Sequence, residues 1–313
     1  MNAVLVVDKP AGFSSHDVVN RVRHITGERS VGHIGTLDPM ATGVLPLLLG
    51  RYTRLAQFYT GTAKKYEGQI RFGFATDTYD TAGEPAGPLV GCELDLGKVR
   101  DAASSFCGVI EQNPPPFSAK KLAGVPAYRL ARCKQEVRLA PVRVEVREFE
   151  IVAVEGDLAS FRASVGPGTY LRSIAHELGQ KLGVGGHLAS LRRTAVGEFG
   201  VNEARTLDHV AAALKQCPIT DIMFSNTVAS VFAHPRTILP AMPAITAPEE
   251  ALPRLLNGNA VNLPDFSTAS FVKVFRGESD LLAVARRVAG TLFHPCVVLG
   301  APMARAVATD QTV

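Results

Sequence analysis

The chain of 313 residues has few cysteines and no pair of them. Cys92, Cys107, Cys133, Cys217 and Cys296 are scattered, odd in number and never in a Cys-x-x-Cys arrangement. Neither a disulfide framework nor a zinc site is signalled. The eight histidines show no metal-ligand spacing, and no Gly-x-Ser-x-Gly elbow occurs. Gly183-Val184-Gly185-Gly186 is rich in glycine, but it follows a helical pattern and lacks the Lys-Ser/Thr of a phosphate loop. Long apolar runs are missing too. Ala3 to Val7 ends at Asp8, too short for a signal peptide, and no other stretch approaches the length of a membrane span. A cytoplasmic location with no membrane partner is the expectation. Charge of one sign is also scarce: a net charge of +4 permits nucleic-acid binding without establishing it, so the distribution of charge matters more than its sum.

What is present is enough apolar residue, 46%, to bury a sizeable core, over a length that suits two domains. The chain is organised around Gly32-His33-Ile34-Gly35-Thr36-Leu37-Asp38-Pro39-Met40-Ala41-Thr42-Gly43. Its glycines let the backbone reach positive φ, and Pro39 biases Asp38 away from helix, so one carboxylate is presented in a loop. A carboxylate held this way can serve as nucleophile or base without a metal, although most Asp-Pro pairs are only turns.

Upstream, Val4 to Val7 reads as a strand broken by Asp8-Lys9-Pro10-Ala11-Gly12. Ser14 or Ser15 caps a helix that buries Val18, Val19, Val22 and Ile25. Downstream, Val44 to Leu49 reads as a buried strand despite Pro46, Arg51 to Tyr59 as a short helix, and Tyr66 to Phe74 as a half-buried strand. Thr76 to Pro85 reads only as a loop, Asp95 to Phe106 as a helix, and Asn113 to Pro116 as a stiff extended connection. Val142 to Val154 and Ala159 to Val165 alternate as the arms of an antiparallel hairpin. Thr169 is placed to cap a helix with Leu171, Ile174, Ala175, Leu178 and Leu182 on its buried stripe. Arg172 falls in the first turn of that helix, off the stripe, where the helix dipole disfavours a cation. The misfit makes sense if Arg172 faces a carboxylate.

Between Phe117 and Val142, Lys120, Lys121, Arg129, Arg132, Lys134 and Arg138 oppose Glu136 alone, with Phe117 and Tyr128 among them. Basic residues with interleaved aromatics suit phosphate contacts and stacking on looped RNA, and a solvated helix face accounts for the same pattern. From about Asn226 prolines punctuate the chain, after which short apolar runs at Ser270 to Val274, Leu281 to Val288 and Cys296 to Leu299 read as strands of a small β-barrel. Ala301 to Val313 reads as a frayed tail.

Four blocks in order carry a resemblance: Leu5 to Val19 (LVVDKPAGFSSHDVV), the Asp38 loop, Lys64 to Gly73 (KKYEGQIRFG) and Gly168 to Arg172 (GTYLR). Together they resemble the TruB family of tRNA pseudouridine-55 synthases, well to about Asp208 and loosely beyond. The resemblance implies an α+β fold, with a mixed, largely antiparallel central sheet and flanking helices in a catalytic domain over 1–235. A basic RNA-clasping insertion at about 117–140, mobile without RNA, and a PUA-like RNA-binding β-barrel over 240–313 complete that expectation. It implies isomerisation of uridine 55 in the T-loop of tRNA, with tRNA (the T-arm) as partner, a monomeric chain, and neither cofactor nor metal. Asp38 would be the catalytic carboxylate, Arg172 its ion-pair partner, and Tyr66 the residue that packs on the base and assists proton movement. Among the substrate-binding residues, His33 would fill the space left by flipped nucleotides, and Leu191 would line the base pocket. Tyr170 would be the other aromatic of the site, Lys9 and Pro10 would support the loop, and Lys120 and Arg132 would hold RNA phosphates. Whether the carboxylate adds to the sugar or the base, or takes a proton from the sugar, stays open. The rival readings are a subunit of a guide-RNA-dependent synthase, which shares these blocks, and a tRNA-binding or tRNA-folding protein without catalysis.

Overall fold

A computed structural model describes residues 1–118, 120–122, 124–133, 135, 139–215 and 231–301, with backbone alone at 121, 126, 128 and 132. The expectations for Lys134, Glu136, Arg138 and Asn226, and for the tail beyond residue 301, lie outside the described residues.

β1 (Ala3–Lys9) is the first apolar run, buried almost throughout. Ser14 caps α1 (Ser15–Thr26) through a capping box: its Oγ accepts from the Asp17 amide, and the Asp17 carboxylate accepts from the Ser14 amide. β2 (Val31–His33) and β3 (Thr42–Leu49) flank the Asp38 loop. Pro46 is tolerated inside β3 because its carbonyl, and with it the nitrogen that lacks a proton, faces the side where β2 has ended; Ile34 donates to that carbonyl at 2.9 Å. The short helix expected over Arg51 to Tyr59 is a 3₁₀ helix, Gly50–Tyr59. β4 (Lys64–Phe72) starts and stops two residues ahead of its alternation, ended by Gly73 at φ +102°.

β5 (Ala75–Thr76) and β6 (Pro85–Ala86) close a small hairpin, and α2 (Leu96–Ser104), capped by Asp95, leads to β7 (Gly108–Gln112). The basic segment holds β8 (Lys121–Leu122), β9 (Val125–Pro126) and α3 (Ala127–Arg132). β10 (Val142–Glu155) and β11 (Leu158–Val165) form the expected antiparallel hairpin. The cap of α4 (Leu171–Lys181) is Tyr170 and not Thr169. Gln112, fully buried, clamps the Tyr170 backbone by accepting from its amide at 2.8 Å and donating to its carbonyl at 3.0 Å, while the Thr169 hydroxyl turns back to Gly166 O. β12 (Gly186–Val196), β13 (Phe199–Gly200), α5 (Leu207–Lys215) and β14 (Phe232–Ala233) follow. The rest comprises β15 (Ala244–Thr246), α6 (Leu252–Leu256), β16 (Val261–Asn262), β17 (Phe271–Arg276), β18 (Asp280–Ala289) and β19 (Leu292–Val298).

The central sheet runs β14-β1-β3-β12-β4-β11-β10-β7, with β2 on β3 and β13 on β12. Its pairs are antiparallel except β3 with β12, which run parallel at Arg192↔Thr42 and Arg193↔Gly43. That parallel contact brings β12 against the end of the Asp38 loop. Ile70, Phe72 and Phe161 of the sheet pack on Ile174 and Leu178 of α4, and Leu5 and Leu47 pack with α1 and α5. The C-terminal sheet, β15-β17-β18-β19-β16, is also mixed, with β15 parallel to β17. Its Phe275, Leu281 and Val284 share a core with Val4, Val6 and Leu48 of the central sheet. Among the described residues no helix is long and apolar enough to cross a membrane.

Candidate active site

The Asp38 loop is held by its backbone, which leaves its carboxylate to Arg172. Ser15, buried at the start of α1, accepts from the Leu37 amide at 2.9 Å and donates back to the Leu37 carbonyl at 3.3 Å. Pro39 O accepts from the Gly12 amide at 2.8 Å and from Lys9 Nζ at 3.2 Å. Beneath the loop, Arg193 donates from Nε to Val44 O, from Nη1 to Thr36 O and from Nη2 to Gly35 O, so one guanidinium spans both ends of the loop. With these carbonyls taken, the Asp38 side chain projects outward and stays 34% exposed.

Arg172 meets it from the first turn of α4. Nε donates to Asp38 Oδ2 at 2.9 Å and Nη2 to Oδ1 at 3.0 Å, a bidentate pair that fixes the carboxylate plane. The guanidinium is 5% exposed, so water competes little for it. Nη1 donates to Thr78 O at 3.1 Å and Nη2 also to Phe117 O at 3.0 Å. A second carboxylate, Asp80, stands 3.7 Å from Nε, itself held by Thr78 Oγ1 and the Ala82 amide. Arg172 thus ties together the Asp38 loop, the Thr76–Pro85 stretch and the start of the basic segment. Its unfavourable place in the helix dipole is offset by two carboxylates.

Tyr66 is the third residue of β4 and faces inward, in one core with Leu37 and Ala41. Burial pushes its phenol up, and the Arg193 guanidinium beside it works the other way. Tyr170 caps α4, and burial likewise raises its hydroxyl. Leu191 joins the Tyr66 core and lines, with Met40, Gln69 and Arg192, an open groove of about 560 Å³. Lys9 is fully buried and donates to the carbonyls of Pro10, Phe13 and Pro39. Burial brings its ammonium down to about 8, against the pull of Asp38. Pro10 is exposed.

His33 ends β2 opposite Leu47, with Nδ1 buried and without a hydrogen-bond partner among the described residues, and its basicity is lowered by burial. None of the hydrogen bonds of Asp38 reaches it. Lys120 is half-buried before β8, whereas Arg132 ends α3 with its side chain outside the described residues.

Three contributors escaped the reading of the sequence. Asp80 lies in a stretch that resembles the family's TDT-D-x-x-G segment but on its own reads as loop, where no periodicity marks a buried carboxylate. Gln112 is an ordinary polar strand residue until it meets Tyr170. Arg193 had a signal: adjacent arginines on one strand must face opposite sides, so one of them enters the interior. Arg192 takes the outer side, paired with Asp8 at 2.8 and 3.0 Å.

Known proteins share this architecture. Residues 23–171 match the TruB family pseudouridylate synthase N-terminal domain, and residues 172–221 match the tRNA pseudouridylate synthase B C-terminal domain. The tRNA pseudouridine synthase B of Solibacter usitatus is 44% identical over 302 residues, 96% of this chain and 100% of that one. The enzyme of the same name from Aquifex aeolicus is 34% identical over 294 residues, 93% of this chain and 98% of its own. Among solved structures, a chain of a Cbf5–Nop10–Gar1 complex has a similar fold, with a TM-score of 0.70 at 24% identity over 96% of this chain and 85% of that one. With two family models matched over residues 23–221 and relatives aligned over almost their whole length, the chain belongs to the TruB family of pseudouridylate synthases.

Proposed function

We propose that this chain converts uridine 55 in the T-loop of tRNA to pseudouridine, with Asp38 as the catalytic carboxylate. The observation that carries the reading is the Asp38 side chain, one third open to solvent, gripped in two places by a buried Arg172. The names of the relatives support tRNA as substrate. The reaction breaks the bond from C1′ of the ribose to N1 of uracil, turns the base and joins C1′ to C5; the C5 proton is lost to solvent and N1 takes one up. It is an isomerisation, and no oxidant or co-substrate enters its balance. A uridine inside a folded loop must first leave its stack, at a cost of a few kcal/mol.

In this reading Arg172 orients Asp38, and Tyr66 packs on the extruded base with Leu191 and Tyr170 around it. His33 fills the vacated stack, while Lys9 and Pro10 brace the loop. Lys120 and Arg132 hold phosphates as part of an RNA-clasping insertion at about 117–140. That insertion meets the site through Phe117 O on Arg172. Residues 1–235 form the catalytic domain and 240–313 a PUA-like RNA-binding domain; the chain acts as a monomer in the cytoplasm.

Tritium release from a tRNA transcript labelled at C5 of uridine tests the assignment. The purified chain alone should release it, Asp38→Asn should release none, and a transcript with cytidine at position 55 should release none from either. Activity only after a guide RNA is added would overturn the stand-alone reading. Release by Asp38→Asn at the wild-type rate would overturn the role of the carboxylate.

A further inference from the structure

Tyr79 holds φ +65°, a left-handed conformation that bulky residues rarely adopt; Leu239 is the other non-glycine there among the described residues. This strain persists only where its surroundings enforce it. It falls between two residues that grip Arg172: the Thr78 carbonyl, which accepts from Nη1 at 3.1 Å, and Asp80, 3.7 Å from Nε. The Tyr79 ring turns the other way and lies flat on His176, with 3.8 Å between centroids and 11° between planes. His176 comes four residues after Arg172, so the two stand one turn apart on the same face of α4. Residues 78 to 80 are thereby laid along that face, the middle one on His176 and its neighbours on Arg172. The backbone agrees with this seating: the Leu188 amide of β12 donates to Tyr79 O at 3.0 Å. Burial lowers the basicity of His176, so the ring that receives Tyr79 is a neutral imidazole and brings no second cation toward Arg172.

We infer that Tyr79 is a positioning residue of the uridine-isomerising site: stacked on His176, it sets the Thr78 carbonyl and the Asp80 carboxylate against Arg172, which in turn aims Asp38. This rests on the roles of Asp38 and Arg172 proposed above. Without the stack the stretch 78–80 slides along α4, and Arg172 loses the carbonyl at Nη1 and the second carboxylate beside Nε. The guanidinium then rotates and tilts the carboxylate bound to it. Misplacement of a reacting group on the ångström scale lowers a rate steeply while leaving substrate affinity nearly intact.

Tyr79→Gly separates position from stability, because glycine takes φ +65° freely and removes the ring. The full-length variant should fold and melt within a few degrees of wild type. Its rate at saturating tRNA should fall about 10- to 100-fold with KM changed less than about threefold. Tyr79→Phe, which keeps the ring, should hold the wild-type rate. His176→Ala should match the loss in Tyr79→Gly, and the double variant should be no slower than either, the mark of a coupled pair. A readout independent of catalysis is amide exchange: Ala82 and Gly83, whose amides donate to Asp80, should exchange at least about tenfold faster in Tyr79→Gly, and Ile174 of α4 should not change. A wild-type rate or unchanged exchange in Tyr79→Gly overturns this inference alone. A wild-type chain that modifies no tRNA, beside fast exchange in Tyr79→Gly, overturns the functional reading instead.

Discussion

At the scale of single residues, charge placement decides what the site can do, and Lys9 is the clearest case. Its ammonium is buried with three carbonyls to satisfy and titrates at about 8. Above that pH the amine keeps only two protons for three acceptors, the hold on Pro39 loosens, and activity should fall. Stability should move the other way. The folded chain releases this proton more readily than the unfolded one, whose lysine titrates near 10.5, so between the two values the unfolded state binds more protons and Lys9 contributes rising stability. Rate at saturating tRNA and melting temperature, followed together from pH 7 to 10, should therefore diverge. In Lys9→Arg, whose charge persists, the alkaline loss of rate should shift upward by more than one pH unit. A coincident fall of both quantities in the wild type would show instead that the chain unfolds.

Elements matter here mainly for where they end. The parallel contact of β3 with β12 lies at the foot of the Asp38 loop, where Thr42 pairs with Arg192 and Gly43 with Arg193. Gly43 has φ +102°, and a Cβ there would stand 2.2 Å from Arg193 O. Gly43→Ala should cost about 2 to 4 kcal/mol, combining backbone strain with a displaced strand, as read by urea unfolding. It should also slow catalysis, since the displaced strand carries Arg193 under the loop. An unchanged urea midpoint would mean that the two strands separate without consequence. Most elements were legible, because an apolar stripe at a regular spacing marks α1, α4 and the β10–β11 hairpin. The exceptions have local causes: Thr169 was a sound cap by type, but Gln112, distant in sequence, fixes the Tyr170 backbone first.

Considered whole, the molecule joins its two sheets through one apolar core, in which Phe275 is fully buried and has the Arg236 guanidinium 4.6 Å above its ring. Polar contacts reinforce the junction: Glu198 accepts from the Tyr59 hydroxyl and the Leu239 amide, both at 2.8 Å. The chain should therefore show one main unfolding transition by calorimetry, and Phe275→Ala should lower its midpoint, at a cost of about 3 to 5 kcal/mol. Two resolved transitions, with only one of them moved by Phe275→Ala, would contradict a shared core.

Four ordered blocks were enough to suggest the family and, through that resemblance, the largely antiparallel sheet and the candidate pair Asp38 and Arg172, because such blocks travel as contiguous motifs, while periodicity marked the separate elements. Only the folded chain decided that the pair, 134 residues apart, meets in bidentate geometry, that Asp80 and the Thr78 carbonyl share the same guanidinium, and that Tyr79 lies on His176. No periodicity encodes such meetings. They arise where loops from separate elements converge on one buried cation, and the partners of a buried charge are set by which chain segments the surrounding core brings within reach.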